Sequence, residues 1–199
     1  MATYHVSTPI SESDVRKLRI RDTLFILGLM FTARDQAHRR ALEIARRGDS
    51  LPFSLKGMAV FHCGPIVQKK KGDWQVVAAG PTTSARMDSI EDEFIERFKV
   101  RIVVGKGGMG AKTTDAMRRF GAAYCNFTGG AAVLAAKSIK KVEGVEWLDL
   151  GIPEAVWILE VENFGPLTVA IDSLGQNLHS QISAKVEENK SKVYRALEL

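Results

Sequence analysis

The segment Val100-Arg-Ile-Val-Val-Gly-Lys-Gly-Gly-Met-Gly110 decides the fold, because a short apolar run breaks abruptly into four glycines and one lysine. Residues 101–104 predict a buried strand, and the glycines that follow predict a loop. Glycine is favoured where the backbone takes positive φ or approaches a ligand closely, so we expect exposed N–H groups around the ammonium of Lys106. These features indicate a site for an anion.

Two phosphate-binding motifs come close to matching this loop. Its glycines satisfy the dinucleotide pattern G-x-G-x-x-G, but no acidic residue lies between Asp115 and Glu143 to hold a ribose. The mononucleotide P-loop requires Lys-Ser/Thr directly after its second glycine, whereas here Ala111 precedes Lys112. A non-catalytic nucleotide- or anion-binding module is therefore a distant alternative, and a plain glycine turn is another.

The composition is that of one ordinary globular domain over residues 1–199. Hydrophobic residues make up 45% of the chain and charged residues 26%, which is enough for one substantial core. The formal net charge is +5, but the basic clusters are interleaved with acids, so solvated faces explain most of the charge. We expect no nucleic-acid partner, whereas a small anionic substrate would benefit from the positive field.

Neither a membrane span nor a metal-binding cysteine pattern is visible. The apolar run at 23–31 is too short to cross a bilayer, and the first residues lack the apolar region of a signal peptide, so we expect a cytoplasmic protein without a membrane partner. Cys63 and Cys125 are too few for a disulfide framework and lie in no metal-binding motif. We expect reduced, buried thiols.

The apolar runs predict an α/β fold with a mixed sheet. A buried strand at 23–31 leads into a helix at 34–47, and Gln68-Lys-Lys-Lys-Gly-Asp73 predicts a hairpin tip. Helices near 113–120 and 130–139 flank a strand at 123–126, an alternation typical of parallel or mixed sheets. The other predicted elements are strands at 58–62, 74–79, 101–104, 142–148, 155–161 and 167–171, and helices near Ser11, at 89–98 and at 177–197.

Polar and cationic side chains follow three predicted strands where those strands end, which is where ligands usually bind in α/β sheets. They are Thr32, Arg34, Asp35 and His38 after the first strand, Thr82, Thr83 and Arg86 after the second, and Lys106 after the third. Because arginine pairs carboxylates bidentately, this set suits a small di-acid better than a nucleotide.

Each of these residues also has a purely structural interpretation. Arg34 and His38 lie four residues apart, as on one solvated helix face. Arg86 could pair with Asp88, and Thr82 could cap the helix that follows it. Their common position at strand ends favours a shared site.

Two segments, Gly80-Pro-Thr-Thr-Ser-Ala-Arg-Met-Asp88 and Gly105-Lys-Gly-Gly-Met-Gly110, resemble signatures of the class I, iron–sulfur-dependent fumarate hydratase and L(+)-tartrate dehydratase family. The similarity is to its β subunit, or the equivalent C-terminal domain. Further similar blocks follow in the family's order between about residues 8 and 178, namely Ala33-Arg-Asp-Gln-Ala-His-Arg39, His62-Cys-Gly-Pro65, Gly129-Gly-Ala-Ala132, Leu150-Gly-Ile-Pro-Glu-Ala-Val-Trp157 and Phe164-Gly-Pro166. The resemblance implies a swivelling β/β/α domain that closes over a site in a partner.

The resemblance also implies a site built from Arg34, Thr82, Arg86 and Lys106. The two arginines and the lysine would hold the substrate's carboxylates, and Thr82 would be the base. An aliphatic hydroxyl is a weak base unless a neighbour removes its proton, and an acidic residue of a partner subunit could do so. His38 is a second candidate for proton transfer or carboxylate binding, with orientation of Arg34 as its simpler role. No role is assigned to His62 or Cys63.

The reaction implied by the resemblance is reversible addition of water to a carbon–carbon double bond, with a [4Fe–4S] cluster whose open iron acts as a Lewis acid. Such a cluster needs three cysteines and this chain has two, so an α subunit is expected to hold it, in a heterotetramer of two α and two β subunits. Hydration of fumarate to (S)-malate is the expected reaction, because Gly129-Gly130 looks closer to fumarase relatives. Dehydration of L(+)-tartrate to oxaloacetate is the alternative.

Overall fold

The computed structural model describes residues 1–197 as a mixed α/β fold. In chain order, the strands are β1 Thr3–Ser7, β2 Thr23–Thr32, β3 Ala59–Phe61, β4 Ile66–Lys70, β5 Asp73–Ala78, β6 Ile102–Gly105, β7 Ala123–Asn126, β8 Ile139–Glu146 and β9 Val156–Ile171. The α-helices are α1 Glu12–Val15, α2 Asp35–Arg46, α3 Asp88–Phe98, α4 Ala111–Phe120, α5 Ala132–Ser138 and α6 Leu178–Ala196. Short 3₁₀ turns lie at Ser84–Arg86 and Leu148–Leu150. No helix in this part of the chain is both long and apolar enough to cross a membrane.

The main sheet has seven strands and closes on itself. Its order is β1-β2-β3-β6-β7-β9-β8, and an additional pairing between β2 and β9 completes the barrel. The first five of these strands are mutually parallel, whereas β9 runs antiparallel to β2, β7 and β8. The carboxyl ends of β2, β3, β6 and β7 therefore meet at one edge of the barrel.

Alternate residues of the central strands face two separate cores. Phe61 and Val104 belong to the cluster that fills the barrel, whereas Val60, Val103 and Tyr124 belong to a second cluster, shared with α2, α3 and α4. Because both faces of these strands are buried, their sequences are continuous apolar runs without polar alternation. This burial explains why the runs were recognisable in the sequence.

The hairpin of β4 and β5 lies outside the barrel and leads into the candidate site. Its tip at Lys71 and Gly72 has positive φ at both residues, as predicted from the charged Gly-Asp segment. Trp74 of β5 packs edge-on against Trp157 of β9, with ring centroids 5.2 Å apart. The hairpin is thereby fixed to the barrel, and the chain leaving β5 enters the edge where the parallel strands end.

Most predicted elements are confirmed, but three details differ. The predicted interruption between strands at 155–161 and 167–171 is wrong, because β9 runs through it without a break. A Cβ on Gly165 would lie only 2.7 Å from the carbonyl oxygen of Leu24, so this glycine permits close approach of two strands. Helix α5 is shorter than predicted, and β8 begins at Ile139 rather than at 142. Strands β1 and β4 were not predicted, and it is β4, not the predicted strand at 58–62, that pairs with β5.

Candidate functional site

The segment at 79–84 fits between the carboxyl ends of β3 and β6. The amide of Thr82 donates a hydrogen bond to the carbonyl of His62 (2.6 Å), and the amide of Ser84 donates to the carbonyl of Lys106 (2.9 Å). Bridge pairings join Cys63 to Pro81 and Thr83 to Lys106. The backbone thus brings together the segments that carry Thr82, Arg86 and Lys106, as the sequence predicted from their positions at strand ends.

Arg86 is held by a carboxylate from the start of α2. Its Nη2 lies 2.8 Å from Oδ2 of Asp35, and its Nε donates to Oδ1 at 3.2 Å. The guanidinium remains half exposed. The alternative pairing of Arg86 with Asp88 is therefore wrong, and the bidentate contact instead links the segment at 79–86 to α2.

The carboxylate of Asp88 lies at the N-terminus of α4. Its Oδ1 accepts hydrogen bonds from the amide of Gly110 and the hydroxyl of Thr113, both at 2.7 Å. A Cβ on Gly110 would lie 2.5 Å from Oδ2 of Asp88. In a nucleotide-binding loop a phosphate would occupy this helix terminus, so its occupation by the chain's own carboxylate argues against the nucleotide-binding interpretation.

Arg34 immediately precedes α2 and is oriented by a residue that sequence reasoning missed. Its Nε lies 3.3 Å from Oε1 of Glu154, whose Oε2 accepts a hydrogen bond from the amide of Gln36 at 3.0 Å. A Cβ on Gly64 would lie 2.6 Å from Nη1 of Arg34, so the guanidinium packs directly on that glycine. The sequence did contain a signal for Glu154, because this residue lies within the family-like block Leu150–Trp157.

Lys106 and Thr82 differ from the arginines in having unpaired side chains. Within residues 1–197, no side chain or backbone group pairs with the ammonium of exposed Lys106, and none hydrogen-bonds the hydroxyl of half-buried Thr82. The aliphatic stem of Lys106 lies beside Gly129, where an added Cβ would be 3.3 Å from its Cδ. The site therefore presents one free cation and two arginines that already have carboxylate partners.

His38 is fully buried, so the interpretation of its position as a solvated helix face is wrong. Its Nδ1 donates a hydrogen bond to the carbonyl of Arg34 at 2.8 Å, and its Nε2 lies 3.4 Å from Oε2 of Glu91. The same carboxylate oxygen lies 3.2 Å from Nε2 of His62. We call His38, His62 and Glu91 the buried triad; sequence reasoning did not identify Glu91.

The charges of the buried triad follow from burial and from this shared carboxylate. Burial opposes ionisation of Glu91, but the two imidazoles outweigh it and lower its pKa to about 2. Burial also opposes the charge on His38, yet the attraction of Glu91 raises the pKa of that ring. For His62 burial dominates and lowers the pKa. These directions favour an ionised Glu91 and place a shared proton on His38 in preference to His62.

A chain of hydroxyl groups extends from the neutral ring toward the glycine loop. Nδ1 of His62 lies 2.9 Å from the hydroxyl of Ser84, and the hydroxyl of Tyr124 lies 3.0 Å from that of Ser84 and 3.0 Å from the carbonyl of Gly107. The hydroxyl of Tyr124 is the donor toward Ser84 and the carbonyl of Gly107, and the direction of the contact between Ser84 and His62 is set by the tautomer of that ring. The triad is therefore connected to the loop that carries Lys106.

The two cysteines are unsuited to holding a metal cluster. Both are free and buried, as predicted. Within the described residues, neither cysteine belongs to a group of three or more potential metal ligands, and such a cluster needs three cysteines.

The fold and the site together define an α/β barrel domain with a cationic edge that suits small anions. Comparison of the sequence with known families makes this assignment specific: the chain belongs to the Fumarase C-terminus family, whose sequence profile matches residues 2–182. The family resemblance drawn from the glycine loop and the 80–88 segment is thereby confirmed.

Individual relatives agree with this assignment. The L(+)-tartrate dehydratase subunit beta of Escherichia coli K12 is 46% identical over 173 residues, covering 87% of this chain and 85% of the relative. A putative subunit of the same name from Methanocaldococcus jannaschii is 43% identical over 180 residues, covering 90% and 92%. A putative fumarate hydratase class I from Geobacillus stearothermophilus is 40% identical over 187 residues, covering 94% of this chain but 35% of that longer protein.

Proposed function

We propose that this chain is the β subunit of a hydro-lyase that acts on a small hydroxydicarboxylate. The observation that carries the proposal is the edge where Arg34 and the unpaired Lys106 follow parallel strands and the segment leading to Arg86 fits between strand ends, in a chain 46% identical to a tartrate dehydratase β subunit. Three cations on a strand-end edge suit two carboxylates. The occupied N-terminus of α4 makes a nucleotide the weaker ligand.

Two substrates of this class come into consideration. The sequence alone favoured fumarate, whereas the relatives named tartrate dehydratase are more similar to this chain than the putative fumarate hydratase, at 46% and 43% against 40% identity. This difference makes L(+)-tartrate the first substrate to assay and fumarate with (S)-malate the second. Both substrates carry two carboxylates and need the same cationic contacts.

The proposed division of labour follows from the contacts of each side chain. Lys106 meets a substrate carboxylate directly, because it has no competing partner in the described chain. Arg34 is oriented by Glu154 and Arg86 by Asp35, and both arginines bind the substrate's carboxylates together with Lys106. Thr82 lies on the same edge and is the proposed base, with the acid that activates it supplied from outside this chain.

The family resemblance assigns a [4Fe–4S] cluster to the reaction, and the residues of this chain do not fit that group. Two cysteines cannot supply three thiolate ligands. We therefore place the cluster on an α subunit, in an assembly of two α and two β subunits. In this arrangement the present chain is a swivelling domain whose strand-end edge closes over the cluster.

Reconstitution tests the proposal. The chain is co-expressed with the α subunit encoded in the same genome, the cluster is rebuilt anaerobically, and hydro-lyase rates are measured with L(+)-tartrate, (S)-malate and fumarate. We expect turnover with at least one substrate and none from either subunit alone. An intact cluster-bearing complex that turns over none of the three would refute the proposal. Saturable binding of ATP or NAD to the isolated chain would instead support a nucleotide-binding module.

A further inference from the structure

Glu91 is an uncommon kind of residue for a protein interior. Its side chain is fully buried, and glutamate is almost never fully buried unless it is paired. The groups that face its carboxylate are the Nε2 atoms of His38 and His62, at 3.4 Å and 3.2 Å. Helix α3 therefore places one negative charge between two rings that belong to different elements.

Each of the two histidines is also attached to backbone that carries a candidate site residue. The ring of His38 donates to the carbonyl of Arg34, and the carbonyl of His62 accepts from the amide of Thr82. The ring of His62 further contacts Ser84, whose amide donates to the carbonyl of Lys106. The carboxylate of Glu91 thus connects two segments of the strand-end edge, the one that carries Arg34 and the one that carries Thr82 and Lys106.

We infer that Glu91 is a positioning residue, which through His38 and His62 fixes the placement of Arg34 relative to Thr82 and Lys106. This inference rests on the proposed function, because its kinetic consequences require that these residues bind substrate. Displacement of a binding group by about 1 Å, even from a distant mutation, lowers rates by roughly 100-fold. A buried group that sets the spacing of the cations therefore has a direct effect on turnover.

The same three side chains are also ligand types for a divalent cation. Within the described residues, neither the Nε2 atoms of the two histidines nor the carboxylate oxygens of Glu91 make a well-aligned hydrogen bond. A divalent cation beside one carboxylate would leave a buried net positive charge, whereas one shared proton leaves the triad neutral, and burial penalises net charge. Asp35, the nearest further acid in sequence to His38, is committed to Arg86. The charge balance favours the proton.

The variant Glu91→Gln tests the inference, with Glu93→Gln on the same helix as the matched control. Gln keeps the shape of the side chain but removes its charge, whereas Glu93 is partly exposed and pairs with Arg46 and Arg97 on the surface. In the reconstituted complex, at a temperature where circular dichroism shows both variants folded, we expect Glu91→Gln to lower kcat/KM by about 10- to 100-fold. Glu93→Gln should stay within about twofold of wild type. Equal kinetics of the two variants would overturn the inference.

A double-mutant cycle separates positioning from a general loss of stability. In an Arg34→Lys background the bidentate contact with substrate is already weakened. The loss of kcat/KM in the double variant Arg34→Lys, Glu91→Gln should therefore be at least about threefold smaller than the product of the two single losses. Adding Glu93→Gln should be multiplicative. A multiplicative result for Glu91→Gln would show that it does not act through Arg34, and the inference would be wrong.

Nitrogen-15 NMR and a metal analysis of the full chain do not depend on activity. Nitrogen-15 NMR of the histidine rings should show one buried imidazolium and one buried neutral ring in wild type at pH 7, and the loss of that imidazolium in Glu91→Gln. Two neutral rings in wild type, or a stoichiometric divalent metal that Glu91→Gln fails to retain, would overturn the shared-proton arrangement. An inactive wild-type complex would count against the proposed function. An active wild-type complex, together with an unchanged kcat/KM in Glu91→Gln, would refute this inference but not the proposed function.

Discussion

Lys106 shows how a single residue changes meaning between sequence and structure. The glycine loop around it was compatible with a phosphate cradle, but the cradle at the start of α4 is filled by Asp88. The loop therefore presents one exposed lysine at the edge of the barrel. Its stem lies along Gly129 and its ammonium is exposed at the strand-end edge without a partner in residues 1–197.

Replacement of Lys106 by Ala should remove the least compensated cation of the site. Truncating one partner of a charge pair that is buried in the complex costs about 2–5 kcal/mol, so we expect kcat/KM to fall by at least about 30-fold with an unchanged melting temperature. Steady-state kinetics of the reconstituted complex measure this loss. Lys112→Ala, an exposed lysine at the start of α4, is the control and should leave the rate unchanged. Similar rates for both variants would remove Lys106 from the site.

Gly64 sets the position of Arg34 by leaving space for its guanidinium. In Gly64→Ala the new Cβ would lie 2.6 Å from Nη1 of Arg34 and 2.7 Å from the carbonyl of Pro153, so side chain and backbone must both shift. Overpacking of this kind costs about 1–3 kcal/mol, and we expect a lower urea midpoint together with a higher KM. Gly144→Ala, whose Cβ would make only an ordinary 3.6 Å contact, should alter neither quantity. An unchanged KM in Gly64→Ala would show that Arg34 does not depend on this packing.

At the scale of elements, the contacts of α6 with the body that the structure describes lie at its start. The side chain of Asn177 accepts from the amides of His179 and Ser180 and donates to the carbonyl of Met109 in the glycine loop. Beyond these contacts, residues 182–190 and 192–197 are all exposed. The family profile ends at residue 182, where this helix leaves the barrel. The helix beyond that point is therefore an extension of the shared fold.

Removal of residues 184–199 should leave the barrel intact. Because surface substitutions away from packed features usually change stability by less than about 0.5 kcal/mol, we expect the melting temperature to fall by no more than about 2 °C. Asn177→Ala, which breaks the cap and the contact with Met109, should cost about 1–2 kcal/mol and serves as the sensitive comparison. A truncation that destabilises the chain as much as Asn177→Ala would show that α6 is part of the core structure.

At the scale of the whole molecule, local patterns were sufficient for the elements but not for their pairings. The buried strands were predictable because both of their faces are apolar, and the strand-end rule holds for Arg34 after β2 and for Lys106 after β6. Thr82 and Arg86 follow β5, which lies outside the barrel, and they reach the edge through the backbone contacts of the segment at 79–84. Closure of the barrel by β9 was not predictable, since it depends on strands more than 100 residues apart. The roles of Asp88 and Glu91 were missed for the same reason, because their partners lie on other elements.

The buried triad also makes the stability of the whole fold depend on pH. Glu91 stays ionised in the folded chain down to a pKa of about 2, whereas the unfolded side chain takes up its proton near the ordinary value of 4.5, so its stabilisation is lost as the pH falls through this range. The lowered pKa of His62 acts in the same direction below pH 6.5. The raised pKa of His38 acts oppositely: its contribution is complete below pH 6.5 and is lost as the pH rises through the folded value.

Mild acid should therefore widen the stability difference between wild type and Glu91→Gln. In wild type His38 already shares its proton with Glu91, whereas in Glu91→Gln burial keeps His38 neutral in the folded chain, so unfolding of the variant takes up an additional proton below pH 6.5. We expect the difference in free energy of unfolding to grow by about 2 kcal/mol between pH 7 and pH 5, since one pH unit per proton corresponds to about 1.4 kcal/mol. Urea titrations at pH 7, 5, 3 and 2 in 1 M salt measure this difference, because salt screens the exposed ion pairs far more than a buried triad. Parallel profiles of the two proteins between pH 7 and pH 5 would show that Glu91 does not hold a proton on His38, and that the packing of α3 rather than its charge joins the two segments of the site.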